Sequence, residues 1–328
     1  MRVLSGNLTA FVGAALTVVL VSAGIMAFAL PGGDDDDGSV LLNPTVTADA
    51  LGESQTPRTS GAPSATSAPA TSAPAAEPIT APFDLPVLMY HHVAPQYPAH
   101  EMEARLTVLS TDFDQQLAYL DCAGYTAITV ADMFDAIAGV HGLPSRPIIL
   151  TFDDGYADHY SQVFPMLQQH GDVGSFAIVT GFVESGAPYV NWAQVREMSD
   201  AGMEMLGHSV SHADLGASDD ATVMDQLTRS RQALGNETGK SVDFLVYPSG
   251  EPFRSNTVER QQQVVEMARQ AGYRGALLAG PNSLAQDPSA PFQVNRVRVT
   301  NEEDIYIFAA SIGGPSPDEP CVSHSGHQ

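Results

Sequence analysis

Two short stretches of this 328-residue chain hold most of the side chains able to do chemistry: Asp153-Asp154-Gly155 after the apolar run IILTF, and His208-Ser209-Val210-Ser211-His212. Asp-Gly after an apolar run is commonly a turn, but a turn needs one carboxylate and two adjacent ones repel. A His-x-x-x-His spacing puts two imidazoles on one face of a helical turn. Joined by an aspartate, they make a common three-ligand set for a catalytic zinc, with a position open for water. Two further polar clusters are Tyr90-His91-His92 and Tyr247-Pro248-Ser249-Gly250.

The elements that must position these clusters follow from hydrophobic periodicity. Strands are expected over 86–90, 126–128, 147–152, 174–178, 203–207, 242–246, 274–278 and 296–299. Helices are expected over 112–121, 131–137, 158–169, 192–201, 219–234 and 257–271. Asn191 and Ser218 are placed to cap helix N-termini, and Gly124, Gly171, Gly202, Gly235 and Gly272 to end helices. Strands alternating with helices of this length imply βαβ units and a parallel sheet, and about eight of them suit an α/β fold of the (β/α) barrel type. All four polar clusters then fall at the carboxyl ends of strands, the end at which barrel enzymes carry their chemistry. No GxGxxG or GxxxxGK[ST] pattern occurs, which removes the usual nucleotide-binding folds.

At these residues the chain resembles the polysaccharide deacetylases of the NodB-homology type (carbohydrate esterase family four). The matching stretches are PVLMYHHV (86–93), IILTFDDGY (148–156) and NWAQVREMSDAGMEMLGHSVSHADL (191–215), with FLVYPSGEP (244–252) and AGYRGAL (271–277) weaker. The resemblance implies a distorted barrel and a divalent metal, typically zinc, held by Asp154, His208 and His212. It makes water on that metal the nucleophile, Asp153 the general base, and the backbone N–H of Ser249 a donor to the oxyanion. Two departures stand out. Val246 occupies the place of an arginine that orients the base in many members, so Arg296, Arg298 or Arg274 must substitute. A C-terminal Leu-x-His is also missing, since the late histidines are His324 and His327 in a polar tail. Tyr90-His91 matches the exopolysaccharide (poly-N-acetylglucosamine) deacetylase branch, which assigns the general acid to His91. His92 is the weaker candidate for that role, with packing or support as its expected one. Ser211 and Asp214 are expected to orient neighbours, Trp192 to sit at the core edge, and Tyr156 to line the groove.

The rest of the chain speaks to location. Residues 8–30 are uncharged and long enough to cross a bilayer, with Arg2 before them and Asp34 to Asp37 after, which favours an exported body. Ala27-Phe28-Ala29 also fits a signal-peptide cleavage site, but the length favours an uncleaved membrane anchor. The expected organisation is an anchor or signal over 1–30, a disordered Pro/Ala/Ser/Thr-rich linker over 31–82, the folded domain over 83–312 and a flexible tail over 313–328. Net charge is −24, with 14 basic against 38 acidic residues, which argues against nucleic acid as a partner. Cys122 and Cys321 could form one disulfide in an exported protein. The function expected is removal of N-acetyl groups from an amino-sugar polysaccharide (poly-N-acetylglucosamine, peptidoglycan or chitin-like). The alternatives are an O-acetyl esterase using the same site and a non-catalytic wall-binding module.

Overall fold

Seven parallel strands close into a ring in the computed structural model, which describes residues 76–321. They are β1 (Val87–Tyr90), β2 (Pro147–Asp154), β3 (Ser175–Ile178), β4 (Glu204–Gly207), β5 (Phe244–Val246), β6 (Gly275–Pro281) and β7 (Val294–Arg298). Consecutive strands pair in order, and β1 joins β7 on one side and β2 on the other. The expected eighth strand lies outside the ring. Thr126–Ala127 pairs only with Pro147 and Ile148 at the start of β2, because β1 takes that edge from Ile149 onward.

Alternation along the strands decides what fills the barrel. Val87, Ile149, Ala177, Leu206, Phe244, Val246, Leu277 and Val294 form one apolar cluster inside the ring. Their sequence neighbours Leu88, Leu150, Phe176, Leu245 and Ala276 belong to a second cluster, between strands and helices. The floor is closed by helix α2 (Val130–Ile137), whose Val130, Met133 and Phe134 join the inner cluster. The surrounding helices are α1 (Ser110–Cys122), α3 (Phe164–His170), α4 (Trp192–Asp200), α5 (Asp220–Thr238), α6 (Val258–Gln270) and α7 (Ile305–Ser311).

Several local expectations are corrected. The helix expected over 158–169 is a π-helical turn, His159–Val163, followed by α3. Pro165, without an N–H, sits where the two meet. Asp219, not Ser218, caps α5 by accepting from the Thr222 N–H, and the helix runs through Gly235 to end at the left-handed Gly239. Helix α7 was not anticipated. Its start is signalled by Asp304, whose side chain accepts from the Tyr306 and Ile307 N–H groups.

Packing continues past both ends of the 83–312 range. The Ile79 N–H donates to the Ile137 carbonyl at 3.1 Å. Cys122 and Cys321 are joined by a disulfide, Cα–Cα 4.5 Å, and the Tyr119 hydroxyl donates to the Pro315 carbonyl at 2.7 Å, which pins residues 313–321 to α1. The expected span over 8–30, the linker up to residue 75 and His324 and His327 lie outside the described residues. No helix of the described residues is long and apolar enough to cross a membrane.

The floor helix is held by one carboxylate. Glu204, at the start of β4, accepts from the N–H groups of Val130 (2.8 Å) and Ala131 (3.0 Å) and from the Ser175 hydroxyl (2.6 Å). It thus satisfies the free donors at the N-terminus of α2 from 74 residues away. Glu204→Ala leaves three donors without a partner in a tight space. It should cost on the order of 3 kcal/mol in chemical denaturation; a loss under about 0.5 kcal/mol, the usual surface range, would contradict this role.

Candidate active site

The polar groups gather where the strands end. By alternation His91 continues the inward face of Met89, Asp153 that of Ile149 and Thr151, and Arg296 that of Val294. Deep in the barrel, Arg296 meets Asp153 in a two-pronged ion pair, Nη1–Oδ1 2.8 Å and Nη2–Oδ2 2.8 Å. The same Nη1 donates to the Thr151 hydroxyl at 3.0 Å and Nε to the Leu278 carbonyl. Arg296 is 0 % exposed and Asp153 2 %. Of the three arginines open to the task, β7 therefore supplies Arg296. Arg274 lies at the opposite end of the barrel, paired with Asp135 (2.8 Å) and Asp243 (3.4 Å). Burial alone would raise the Asp153 pKa. The Arg296 charge and hydrogen bonds, with His208 and His91 adding to them, outweigh it and hold the carboxyl below its usual range.

Asp154, one residue on, would face outward if β2 stayed regular. It does not: Asp154 has φ 83° and Gly155 φ 77°, so the strand breaks off in two left-handed residues and Asp154 turns to the mouth. There its Oδ1 lies 3.3 Å from His208 Nε2 and 3.4 Å from His212 Nε2. The two histidines converge by a turn rather than by a helical face. Ser209 (φ 63°) and His212 (φ 55°) are left-handed, and Ser209 Oγ accepts from the Ala213 N–H at 3.1 Å. Among the described residues, four of the six non-glycine residues with positive φ are Asp154, Ser209, His212 and Ser249, so backbone strain is concentrated at these motifs. Gly207 immediately before His208 must be small, because a Cβ there would strike the Tyr273 hydroxyl.

The trio fits a cation on its own chemistry. His208 Nδ1–H donates to the Val246 carbonyl at 2.8 Å, which leaves a lone pair on Nε2. Asp154 Oδ1 is buried without a hydrogen-bond partner. Three ligand atoms within 4.8 Å of one another, each presenting lone pairs, repel unless a positive charge lies among them. Asp154, His208 and His212 are the only such cluster of His, Cys, Asp or Glu among the described residues.

His91 Nδ1 is enclosed and unpartnered, so proton exchange must pass through Nε2. Burial foremost, opposed by Asp153 and Asp154, pushes the His91 pKa down to about 4. The His91 carbonyl accepts from Nε2 of the buried His159 at 2.6 Å, a support that periodicity could not foretell. His92 faces away, hydrogen-bonded to Asp158 at 2.7 Å and stacked on Tyr156 at 3.7 Å between ring centres, which is a supporting role. Tyr156 in turn stacks on Tyr189 at 5.4 Å. Ser249 is exposed in a left-handed conformation in the loop after β5. Ser211 and Asp214 shape their turn: the Ser211 N–H donates to Gln226 at 3.0 Å, and Asp214 accepts from Gly216 and Ala217 at 2.9 Å each. Trp192 is partly buried against the outer core.

A zinc titration of the metal-free protein should show about one tight site. His208→Ala and His212→Ala should each weaken it by at least roughly 100-fold. Undiminished binding in both variants would remove the trio as a metal site.

Residues 141–276 match the family model for polysaccharide deacetylases. The chain is 22 % identical over 231 residues to YxkH of Bacillus subtilis (strain 168), itself assigned to polysaccharide deacetylation only provisionally; the match covers 70 % of this chain and 77 % of that protein. It is 28 % identical over 131 residues to the poly-beta-1,6-N-acetyl-D-glucosamine N-deacetylase of Escherichia coli (strain K12), covering 36 % of this chain and 20 % of that longer protein. Among solved structures, the Streptococcus pyogenes deacetylase PplD in complex with acetate superposes with a TM-score of 0.63 at 22 % identity, over 70 % of this chain and 99 % of that one. Residues 141–276, which include Asp153, Asp154, His208 and His212, are therefore a polysaccharide deacetylase domain of the NodB-homology family.

Proposed function

We propose that the chain removes N-acetyl groups from an amino-sugar polysaccharide by metal-dependent hydrolysis, with Asp153 as base, His91 as acid and Ser249 as an oxyanion donor. The observation that carries this reading is the Asp153–Arg296 pair beside the Asp154, His208 and His212 trio. A divalent cation held by the trio, with zinc suited to two imidazoles and a carboxylate, would polarise the acetamide carbonyl and acidify water. Asp153 is kept ionised and fixed in direction by Arg296, ready to accept the proton of the attacking water. A carboxylate held this low is a weak base, and it suits only a water made more acidic than in bulk. His91 is neutral at rest, so as an acid it must first take up a proton that the reaction liberates, then pass it through Nε2 to the departing amine. The exposed, left-handed turn at Ser249 presents backbone at the mouth, where an N–H can meet the oxyanion.

The missing motif arginine was the main support for a non-catalytic binding module, and Arg296 removes that support by supplying the guanidinium from β7. A location outside the cytoplasm, at the cell surface, is supported by the apolar run at 8–30 and by the Cys122–Cys321 disulfide, a linkage of oxidising compartments. The chain as anchored or secreted would then meet extracellular glycans.

Incubation with N-acetylglucosamine oligomers should release acetate, stop with chelator and resume with zinc. Asp153→Asn should keep its zinc while kcat falls on the order of 10²–10⁴-fold. Near-wild-type turnover by that variant would exclude Asp153 as the base. Release from O-acetylated xylan but not from N-acetyl oligomers would replace this reading with that of an esterase.

A further inference from the structure

Arg296 and Arg298 stand two residues apart on β7, so alternation aims both toward the barrel axis, with Arg298 one layer nearer the mouth. Arg296 is committed to Asp153. Arg298 is not committed to anything. Its backbone N–H donates to Asn282 at 3.0 Å, but its guanidinium has neither an ion pair nor a hydrogen bond among the described residues, although the residue is partly buried. Burial lowers its pKa, with Arg296 and Arg254 adding to the shift and Asp153 opposing it.

Arg254 is exposed in the loop after β5, its Cβ beside Gly250, and is likewise without a side-chain partner among the described residues. Every other described Arg or Lys rests against a carboxylate, a carbonyl or an aromatic ring. Acceptors are not scarce in a chain with 38 acidic residues. Two cations that repel one another, one of them partly stripped of water, are costly without a counter-charge. The position of Arg298 one layer above the Arg296–Asp153 pair makes the substrate the natural source of that charge.

We propose that Arg298, assisted by Arg254, receives a carboxylate of the substrate, so that the preferred polymer is an amino-sugar glycan bearing a carboxylate close to the N-acetyl group removed. This rests on the deacetylase reading above and narrows its substrate class. The carboxylate can be a lactyl ether on the reacting sugar or a uronate on the adjoining one. The acidic surface elsewhere on the chain repels densely anionic polymers, which favours spaced carboxylates met at this one point.

The test uses the full, zinc-loaded chain and three oligomers of equal length: N-acetylglucosamine alone, N-acetylglucosamine alternating with N-acetylmuramic acid, and N-acetylglucosamine alternating with glucuronic acid. Calorimetric binding and acetate release are both read. One acidic oligomer should bind roughly 10- to 100-fold tighter than the neutral one, the scale of a hydrogen-bonded charge pair. Which oligomer shows the margin distinguishes the lactyl from the uronate source. Arg298→Gln should erase the margin and Arg254→Gln reduce it, with thermal melts checking that each variant is folded. Equal binding of all three oligomers, or an equal loss on all three in Arg298→Gln, would overturn the proposal. The binding margin decides the carboxylate site whether or not acetate appears, whereas absence of acetate from every oligomer would count against the deacetylase reading instead.

Discussion

The ion pair between Arg296 and Asp153 is the constraint around which the rest of the site is arranged. Both groups are almost without solvent, and removing one partner of such a pair costs about 3–5 kcal/mol because the other charge is left buried alone. The pair therefore demands that β7 and β2, one strand apart in the ring, have their inward registers matched. A seven-strand ring meets that demand, with β1 between the two strands and Thr151 and the Leu278 carbonyl taking up further Arg296 donors. A guanidinium suits this position better than an ammonium, since its planar fork engages both carboxylate oxygens at once.

Above this rigid layer the chemistry is carried by backbone that leaves regular geometry. Asp154 reaches the mouth because β2 ends in two left-handed residues, and His212 reaches Asp154 because the turn after β4 contains two more. The non-glycine residues among them, Asp154, Ser209 and His212, each cost of order 1–3 kcal/mol, and the packing of the strands below overdetermines the loops enough to hold them. The division between Asp153 and Asp154 follows from the same feature. One points down the axis to an arginine and stays anionic, and the other points up to two imidazoles whose lone pairs call for a cation.

Much of this was legible in the residues, and what was not has physical reasons. Asp153, Asp154, His208 and His212 declare themselves by type and by their place after apolar runs. The grounds for His208 and His212 were nevertheless wrong in part, since spacing of four suggested a helical face and the chain uses a turn. The arginine could be narrowed only to three, because 296 and 298 share a face and depth along the barrel depends on register, which no local pattern encodes. All eight expected strands form, but the closed ring holds only seven of them. Thr126–Ala127 has a strand-like composition, but only the pairing of β1 with β2 decides whether it joins the ring. His159 under His91 and Glu204 under α2 are long-range contacts of single side chains, invisible to periodicity.

The account stands or falls on a guanidinium from the last strand positioning a base that sits beside a metal site. The direct measurement is kcat for acetate release by zinc-loaded Arg296→Gln, with metal content and thermal melting recorded on the same preparation. A folded variant that retains about one zinc but turns over roughly 100-fold or more slowly, with KM little changed, is the predicted result, as expected when a reacting group is displaced by about an ångström. A folded, zinc-loaded variant turning over within about twofold of the wild type, far inside that positioning penalty, would contradict it.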